Sequence, residues 1–510
     1  MGVEPPGPQG QPDPSVITPT SEPRDSLGTS GLGDRIRTVL VWAGIVTVAI
    51  LSILATIHLL ADVDAVLGIR GGLSAVVARL LPVVLLAALG GVLALFVAWL
   101  AGSGRRREVA AIAVGLAALV VVRVFTAATM DGGTRGEPLV YGLVAESFLT
   151  PDPDLMGRPA GFPLLLAGAY SVVGDRQLAT EIVNLLLAML AGGAVLGLAR
   201  GSYGARVGAV ALLGYALWPA AAMMIVVRIP QTAYDLAVVA SAWAVVGTAP
   251  GWRGSALAGG LLGLAQYLRP TTPILLPAYL VARVWPSATW RKHLTGAILP
   301  MVALFLVVLT PVMVYNFDRT GFPSIATSDY GGQTLYIGTY EPSGGTFDEG
   351  AAQALIDMVG MDPGARSEKG MEIALQRIKD DPVGMAALAI RKQDSLWGTE
   401  HYGVQYGIRQ NLKDRPQHPR ATTPMLLSQG FYVLVLVAAL GGMLIRRRER
   451  DALIPLVTLL IWAAAALHAL WEVRDRHHSY VVPLLLPLAA LALVAVLGQV
   501  ERRLGRSGGE

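Results

Sequence analysis

Two carboxylates and a tyrosine follow the apolar run of residues 109–128, where a membrane helix would reach water. They are Asp131, Glu137 and Tyr141. A carboxylate within hydrogen-bond distance of a hydroxyl can act as a general base, and ionisable side chains at a membrane face mark a site when they face a cavity. The spacing leaves Asp131 and Glu137 as rival catalytic carboxylates. The alternative interpretation is that both are solvated loop charges.

Basic residues beside other apolar runs could supply the complementary charge. Arg228, Arg269, Arg474 and Arg476 each lie close to the end of such a run. An arginine fork binds a phosphate group through two parallel hydrogen bonds, which suits a lipid phosphate at a membrane surface. The alternative is that each guanidinium only reaches from a helix end to water.

Other polar residues lie in the same regions of the chain. Gln231 and Asp235 are four residues apart at the start of an apolar run, so they share a helix face. Asp235 then needs a partner, either from the arginine cluster or in a buried structural ion pair. His478 is a candidate acid, base or ligand, but its neighbour His477 would point another way, and we predict no metal site.

The composition places these residues in a membrane protein. The chain has 510 residues, of which 53% are hydrophobic and 15% charged, whereas soluble proteins have about a quarter charged residues. There are no cysteines, which excludes disulfides, thiolate metal sites and a cysteine nucleophile. We predict an all-α polytopic protein with about twelve spans, near residues 39–61, 78–101, 109–128, 178–199, 206–227, 231–248, 255–268, 271–285, 295–315, 430–445, 453–471 and 480–498.

The regions between the spans complete the predicted organisation. Residues 1–34 are rich in Pro, Gly and Ser and are predicted to be a disordered tail. The loop 129–177 contains two amphipathic or short apolar segments, at 139–149 and 161–173, expected to lie at the membrane interface. The loop 316–429, with a Gly-rich part and helices near 350–359, 366–380 and 382–397, is expected to cap one face. Predicted domains are 1–34, two additional helices in 35–104, a core in 105–315, the cap in 316–429, helices in 430–499, and a tail in 500–510.

Arginine distribution predicts the orientation. Basic residues occur at every second boundary between spans, which places these boundaries and both termini in the cytoplasm. The long loops, Arg228, Arg269 and residues 472–478 then face outward. The net charge of +4 comes largely from these short loops, so it indicates topology rather than nucleic-acid binding. We expect a plasma (inner) membrane location, and the Ala-, Val-, Leu-, Gly- and Arg-rich composition suggests a bacterial source.

Five stretches together resemble the GT-C glycosyltransferases, and more closely the family 39-like group of protein O-mannosyltransferases and lipid A aminoarabinose transferases. They occur in the family's order over residues 109–498. The stretches are Gly161-Phe-Pro-Leu with Ala179-Thr-Glu-Ile-Val-Asn184, Gly263-Leu-Ala-Gln-Tyr-Leu-Arg269-Pro270-Thr271, Asn316 with Ser328-Asp-Tyr-Gly331 and Tyr336-Ile-Gly338, Asp381-Pro382 with Arg391-Lys392 and Leu396-Trp397, and Tyr480-Val-Val-Pro483.

The resemblance implies a sugar transferase with a polyprenyl-phosphate donor and a catalytic aspartate in the first outer loop. Asp131 has the family's residue type, whereas Glu137 has its more familiar spacing to Tyr141. Where the family often has arginine before its final tyrosine, this chain has Ser479, and Gln231 takes a place that is often acidic. The spans in 35–104 look like an addition before the family core.

We therefore expect an integral-membrane glycosyltransferase that works on the extracytoplasmic side. The acceptor hydroxyl would belong to a glycan, lipid or protein. No cofactor is expected, and the absence of a P-loop or GxGxxG motif is consistent with a reaction that needs no nucleotide. The donor phosphate would lie near Arg269, Lys392, Arg474 and Arg476. Supporting residues would be Tyr141, Arg228, Gln231, Asp235, His478 and Tyr480. The alternatives are a multi-spanning lipid or solute transporter or flippase, and a non-catalytic relative that binds a polyprenyl lipid.

Overall fold

A computed structural model describes residues 30–68, 72–102, 104–130, 132, 136–248, 251–285, 294–408 and 419–507. The chain divides into two compact units, residues 1–39 and 40–510. The first unit is described only from Ser30, the start of a helix that continues to Leu67 in the second unit. The second unit contains every other helix discussed below, and the described residues of both units include no β-strand.

Twenty α-helices lie in the described ranges. They are α1 Ser30–Leu67, α2 Gly72–Ala101, α3 Arg105–Thr129, α4 Glu137–Ser147, α5 Gly161–Val173, α6 Arg176–Tyr203, α7 Ala205–Leu217, α8 Pro219–Met223, α9 Gln231–Val246, α10 Trp252–Gln266, α11 Leu276–Val284, α12 Leu299–Thr320, α13 Gly331–Gly338, α14 Glu349–Val359, α15 Pro363–Asp380, α16 Pro382–Trp397, α17 Tyr402–Gly407, α18 Pro419–Arg446, α19 Leu453–Leu470 and α20 Val482–Ser507. Short 3₁₀ turns cover Met224–Val226, Thr272–Ile274, Glu341–Ser343 and Asp475–Val481, and Leu294–Ile298 is a π-helical turn.

The protein is an all-α polytopic membrane protein, as predicted. Eight helical segments of the described chain are long and apolar enough to cross a bilayer, and a ninth is possible if α7 and the segment after it, bent by 54°, count as one span. The predicted number of twelve is not confirmed, because three predicted spans form shorter helices. These are α9 with 16 residues, α10 with 15 residues, and the pair formed by Thr272–Ile274 and α11.

Small residues let the spans pack closely. α10 packs on α12, α6 on α7 and α9, and α18 on α20. A Cβ atom added to Gly259 of α10 would lie 2.0 Å from the Met301 carbonyl oxygen, and one on Gly442 of α18 would lie 2.1 Å from that of Leu488. Backbones this close exclude any larger side chain, a common arrangement between membrane helices.

Several element boundaries differ from the predicted ones. The predicted interfacial segments are helical as α4 and α5, and the three helices predicted in the cap are α14, α15 and α16. The Gly-rich part of the cap is also helical, as α13. Helix α18 begins at Pro419 rather than 430, and α20 continues through Ser507. Of the predicted disordered tail, residues 1–29 lie outside the described residues, and Ser30–Asp34 form the first turn of α1.

Candidate active site

Helix α4 begins at a carboxylate that joins two distant segments. Gly136, with a φ of 62°, turns the chain into the helix at Glu137. Glu137 Oε2 lies 2.5 Å from Arg476 Nη2, and Glu137 Oε1 lies 3.8 Å from Arg158 Nη1. The Arg476 side chain is 8% exposed and that of Glu137 19%, so this ion pair is largely withdrawn from water.

The surroundings of Glu137 decide its protonation. Burial alone would raise its pKa, but the charges of Arg476, Arg158 and Arg474 outweigh burial and lower the pKa to about 2. Glu137 is therefore ionised at any physiological pH and has little tendency to take up a proton. It can hold guanidinium groups in place more effectively than it can serve as a base.

Arg158 is held by aromatic faces as well as by charge. Its guanidinium carbon lies 4.3 Å from the ring centroid of Tyr330 and 5.7 Å from that of Tyr141. Burial raises the pKa of Tyr141, and the Glu137 charge raises it further. The preceding residue, Gly157, has a φ of 72°, and a Cβ there would lie 2.7 Å from the Tyr330 ring. A glycine is thus required where the segment between α4 and α5 meets the segment before α13.

The segment before α20 brings two more arginines to this cluster. Arg474 Nε donates to Glu472 Oε1 at 3.0 Å, and Arg474 Nη1 donates to the Tyr406 hydroxyl at 2.9 Å. The Arg476 guanidinium carbon lies 5.2 Å from the centroid of the same tyrosine ring. Tyr406 therefore fixes the spacing of the two arginines. Arg476 Nε is buried without a hydrogen-bond partner, so one donor of this group is unused.

Arg269 lies beside a polar network at the start of α9. Its Nη2 donates to Gln231 Oε1, and Gln231 Nε2 donates to Asp235 Oδ1 at 2.8 Å. Ser479 Oγ donates to the same carboxylate oxygen at 2.9 Å. The Arg269 guanidinium carbon lies 5.3 Å from the Tyr234 ring centroid. None of the ion pairs between described residues includes Arg269, and Gln231 lies between its guanidinium and the Asp235 carboxylate.

The structure brings most of the predicted residues together. Glu137, Tyr141, Arg269, Arg474 and Arg476 form one cluster through the contacts above and through charge interactions. The Gln231–Asp235 network adjoins it. Tyr480 contacts Tyr234 edge-on with ring centroids 5.6 Å apart, so it also borders the network. The roles assigned to these residues stay predictions.

Lys392 and His478 contact buried groups of the protein rather than the arginine cluster. Lys392 is fully buried, and its Nζ donates to the carbonyl oxygens of Gly338 at 2.9 Å and Ala469 at 3.2 Å. Burial lowers the pKa of Lys392 to about 7. His478 is buried between Leu396 O and Glu400 Oε2, each 2.5 Å from a ring nitrogen. These contacts indicate structural duties for both side chains.

Arg228 reaches a different neighbour. Its Nη2 donates to Gln177 Oε1 at 3.3 Å, while its Nε is buried without a partner. Asp131 lies outside the described residues. The nearby Gly132 amide donates to the carbonyl of Gly407, the last residue of α17, at 3.2 Å. Gly132 itself is thus attached to the end of α17.

Four residues of the cluster and its support were missed from the sequence: Arg158, Tyr330, Tyr406 and Glu400. Arg158 could have been found, because a basic residue in a predicted outer loop opposes the usual charge bias. The tyrosines and Glu400 carry no such local signal. Within the described ranges, no three His, Asp or Glu side chains come together as metal ligands.

No protein-family model and no curated protein matches the chain. Among solved structures it is similar to the oligosaccharyltransferase AglB from Archaeoglobus fulgidus in complex with an inhibitory peptide and a dolichol-phosphate. The identity is 16%, covering 79% of this chain and 52% of that chain, with a TM-score of 0.48. A structure of the A. fulgidus enzyme tethered to an acceptor peptide gives 15% identity, 78% and 51% coverage, and a TM-score of 0.49.

The chain is also similar to ArnT from Cupriavidus metallidurans bound to undecaprenyl phosphate, at 14% identity over 75% of this chain and 76% of that one, with a TM-score of 0.35. Both neighbours are GT-C glycosyltransferases, the superfamily that the sequence motifs resemble. The chain spans about half the length of the archaeal enzyme. Because all three TM-scores lie below 0.5, the likenesses carry no argument about what this chain binds or transfers.

Proposed function

We propose that the protein is a membrane glycosyltransferase that moves a sugar from a polyprenyl-phosphate donor to an acceptor hydroxyl. The observation that carries this proposal is the arginine cluster around Glu137. Arg158, Arg474 and Arg476 all interact with the Glu137 carboxylate, Arg474 also pairs with Glu472, and Arg269 forms no ion pair with another described residue. Such a cluster, with buried guanidinium donors left unused, suits the phosphate of a lipid-linked donor.

The reaction proposed is a displacement at the anomeric carbon. The acceptor oxygen forms a bond to that carbon, the bond from carbon to the phosphate oxygen breaks, and the acceptor proton passes to a carboxylate. Polyprenyl phosphate leaves with its bonding electrons. Arg269 and Arg476 would bind the phosphate and stabilise the negative charge that develops on it, which is the larger part of the catalytic task.

The two rival carboxylates receive different roles in this proposal. With a pKa of about 2 and two arginine partners, Glu137 is a weak base and fixes the positions of Arg476 and Arg158. We assign the general base to Asp131, which has the residue type of the family's catalytic aspartate. The next residue, Gly132, is hydrogen-bonded to Gly407 at the end of α17.

The side of the membrane follows from charge. The ends of α6 and α20 and the beginnings of α3 and α7 carry Arg200, Glu501, Glu108 and Arg206, which pair with one another. Glu137 lies beyond the other end of α3. Under the positive-inside rule, we propose that the paired end and both termini are cytoplasmic, that the Glu137 cluster is extracytoplasmic, and that the membrane is the plasma membrane.

The experiment is a transfer assay with the full chain in lipid nanodiscs. Radiolabelled polyprenyl-phosphate sugars, both hexosyl and pentosyl, are incubated with glycan, lipid and peptide acceptors, and release of polyprenyl phosphate is measured alongside labelled product. We expect turnover with at least one pair. Asp131→Asn should reduce turnover about 10³-fold, and Arg269→Ala should weaken binding of polyprenyl phosphate.

The matched control is Arg206→Ala, which removes an arginine from the opposite end of the bundle and should leave turnover within twofold. Full activity of Asp131→Asn would contradict the assignment of the base. If the wild type binds polyprenyl phosphate but transfers no sugar, the non-catalytic alternative is correct. Movement of the labelled lipid between leaflets without transfer would identify a flippase.

A further inference from the structure

One face of the additional helix α1 binds the end of the cap. Gln429 Nε2 donates to the Ala55 carbonyl at 2.9 Å, His58 Nε2 lies 2.9 Å from Asp394 Oδ1, and Asp62 Oδ2 lies 2.9 Å from His401 Nε2. Positions 55, 58 and 62 are spaced by three and four residues, so they lie on one side of the helix. Three polar contacts from a single face make a specific attachment.

The attached segment leads directly to the arginine cluster. The His401 amide donates to Asp475 Oδ2 at 3.0 Å, and Asp475 Oδ1 accepts the Arg476 amide at 3.0 Å. The Asp475 carboxylate therefore holds both His401, the partner of Asp62, and Arg476, the partner of Glu137. Only His401 and Asp475 therefore lie between Asp62 of α1 and Arg476 of the proposed site.

A second connection runs in parallel through buried side chains. Gln429 also donates to the Gly398 carbonyl at 2.8 Å, and its Oε1 accepts the Glu400 amide at 2.9 Å. The Glu400 carboxylate binds Trp218 Nε1 at 2.9 Å and His478 Nε2 at 2.5 Å. This network fixes the turn Asp475–Val481 from its inner side, so both connections end on the segment that contains Arg476.

Helix α1 is itself held firmly against the bundle. A Cβ on Gly44 would lie 2.2 Å from Thr458 Oγ1, which shows how closely α1 approaches α19. Trp462 Nε1 donates to Thr47 Oγ1 at 3.2 Å. The half of α1 near Gly44 is thereby anchored, and the half near Asp62 can serve as a fixed support for the cap.

We propose that Asp62 and His401 are positioning residues, through which helix α1 holds Arg476 in its place beside Glu137. The attachment itself is independent of the reaction, whereas its effect on turnover rests on the proposed function. The added helix would then be part of the site's support rather than only a membrane anchor.

The structural test is hydrogen exchange of the full chain in nanodiscs. Asp62→Asn keeps the size of the side chain and removes its charge. We expect amides in 475–481 to exchange about tenfold faster, the change that loss of one charged hydrogen bond produces. Glu372→Gln, which removes an exposed ion pair with Lys369 on α15, is the matched control and should leave 475–481 unchanged. Unaltered exchange in Asp62→Asn would overturn the proposal.

The functional test uses an equilibrium constant, because a merely unstable variant changes the folded fraction but not the affinity of folded molecules. Asp62→Asn and His401→Gln should each weaken polyprenyl phosphate binding about tenfold, roughly one charged hydrogen bond. The double variant Asp62→His/His401→Asp, which swaps the two side chains, should restore wild-type affinity to within twofold. If the double variant restores neither the affinity nor the protection of amides from hydrogen exchange, Asp62 and His401 do not act as a direct pair.

The two hypotheses fail separately. If the wild type transfers no sugar while Asp62→Asn still accelerates exchange in 475–481, the proposed function is wrong and the attachment stands. If transfer is observed and none of these variants alters exchange or affinity, the proposed function stands and the positioning role is wrong.

Discussion

The two ends of the helix bundle use charge in opposite ways. At one end, Arg200 pairs with Glu108 at 3.0 Å and Arg206 with Glu501 at 3.1 Å, and the side chains of Arg200 and Glu501 are 54% and 52% exposed. At the other end, Arg476 and Glu137 pair with exposures of 8% and 19%. At the first end one member of each pair is well exposed, although Glu108 is only 14% exposed, whereas at the second end both members of the Glu137–Arg476 pair are largely withdrawn from water.

This difference has a physical meaning. Exposed pairs contribute about 0–1 kcal/mol each to stability, so the first end gains little from its arginines, whose positions fit a role in membrane orientation. Removing a charge from water costs several kcal/mol, which a protein offsets only with partners or a ligand. The cluster at the second end has partners for Glu137, whereas among the described residues Arg269 forms no ion pair and is linked to the Asp235 carboxylate only through Gln231. That difference favours an anionic ligand beside Arg269.

The strongest test of the comparison removes one carboxylate from each end. Glu137→Gln leaves Arg476 buried without its partner and should lower the free energy of unfolding by about 3–5 kcal/mol. Glu501→Gln breaks an exposed pair and should cost less than about 1 kcal/mol. Thermal unfolding of both variants in the same detergent measures the two values. Equal losses would show that the ends do not differ in the way described.

The dependence of stability on acidic pH should also distinguish the two ends. The folded-state pKa of Glu137 is about 2, below its ordinary value of 4.5, so its ion pairs stabilise the protein fully above pH 4.5 and lose that contribution as the pH falls towards 2. Stability of the wild type should therefore decrease over this range more steeply than that of Glu137→Gln. A control with Glu501→Gln should retain the wild-type slope. Parallel curves for wild type and Glu137→Gln would contradict the assigned pKa.

Arg269 should behave differently from Arg476, since it forms no ion pair with another described residue. Arg269→Ala breaks none of the ion pairs between described residues, so we expect a change in the free energy of unfolding within about 1 kcal/mol. Affinity for polyprenyl phosphate should fall about 10- to 100-fold, because a charge-assisted phosphate contact is lost. Arg206→Ala should change neither quantity appreciably. Calorimetric titration with polyprenyl phosphate measures the affinity of the Arg269→Ala and Arg206→Ala variants, and thermal unfolding measures their stability.

Sequence patterns predicted the helices with strong local signals. Helix α16 has the predicted bounds, 382–397, because Asp381 caps it and Pro382 occupies its first turn. Apolar character alone does not reveal where a buried helix stops. The predicted spans 231–248, 255–268 and 271–285 are therefore not confirmed as spans, and the structure has the short helices α9, α10 and α11 there. The gap between the predicted runs 255–268 and 271–285 coincides with the break between α10 and α11, because Pro270 disrupts the helix.

The predicted membrane topology was sufficient to place several site residues at the same end of the bundle. The alternation of arginines assigned Glu137, Arg269, Arg474 and Arg476 to one end, and the structure brings these four together. Partners set by tertiary contacts were not predictable. Lys392, expected at the donor phosphate, binds backbone carbonyls, and His478, expected to support the site, binds Glu400. The sequence gives a side chain's charge but not the direction in which it is buried.

The smallest expected effect concerns Lys392, whose charge is also buried at the second end. Burial lowers its pKa to about 7, whereas an unfolded lysine titrates near 10.4. Between these values the unfolded chain binds more protons than the folded one, so stability should rise with pH, by about 1 kcal/mol from pH 7 to pH 8. Lys392→Met removes this titration and should show a flatter dependence, while Lys369→Met, on the exposed surface of α15, should keep the wild-type slope. The free energy of unfolding is measured for each protein at pH 7 and pH 8. If Lys392 stayed fully charged in the folded protein, stability would depend on pH equally in the wild type and in Lys392→Met.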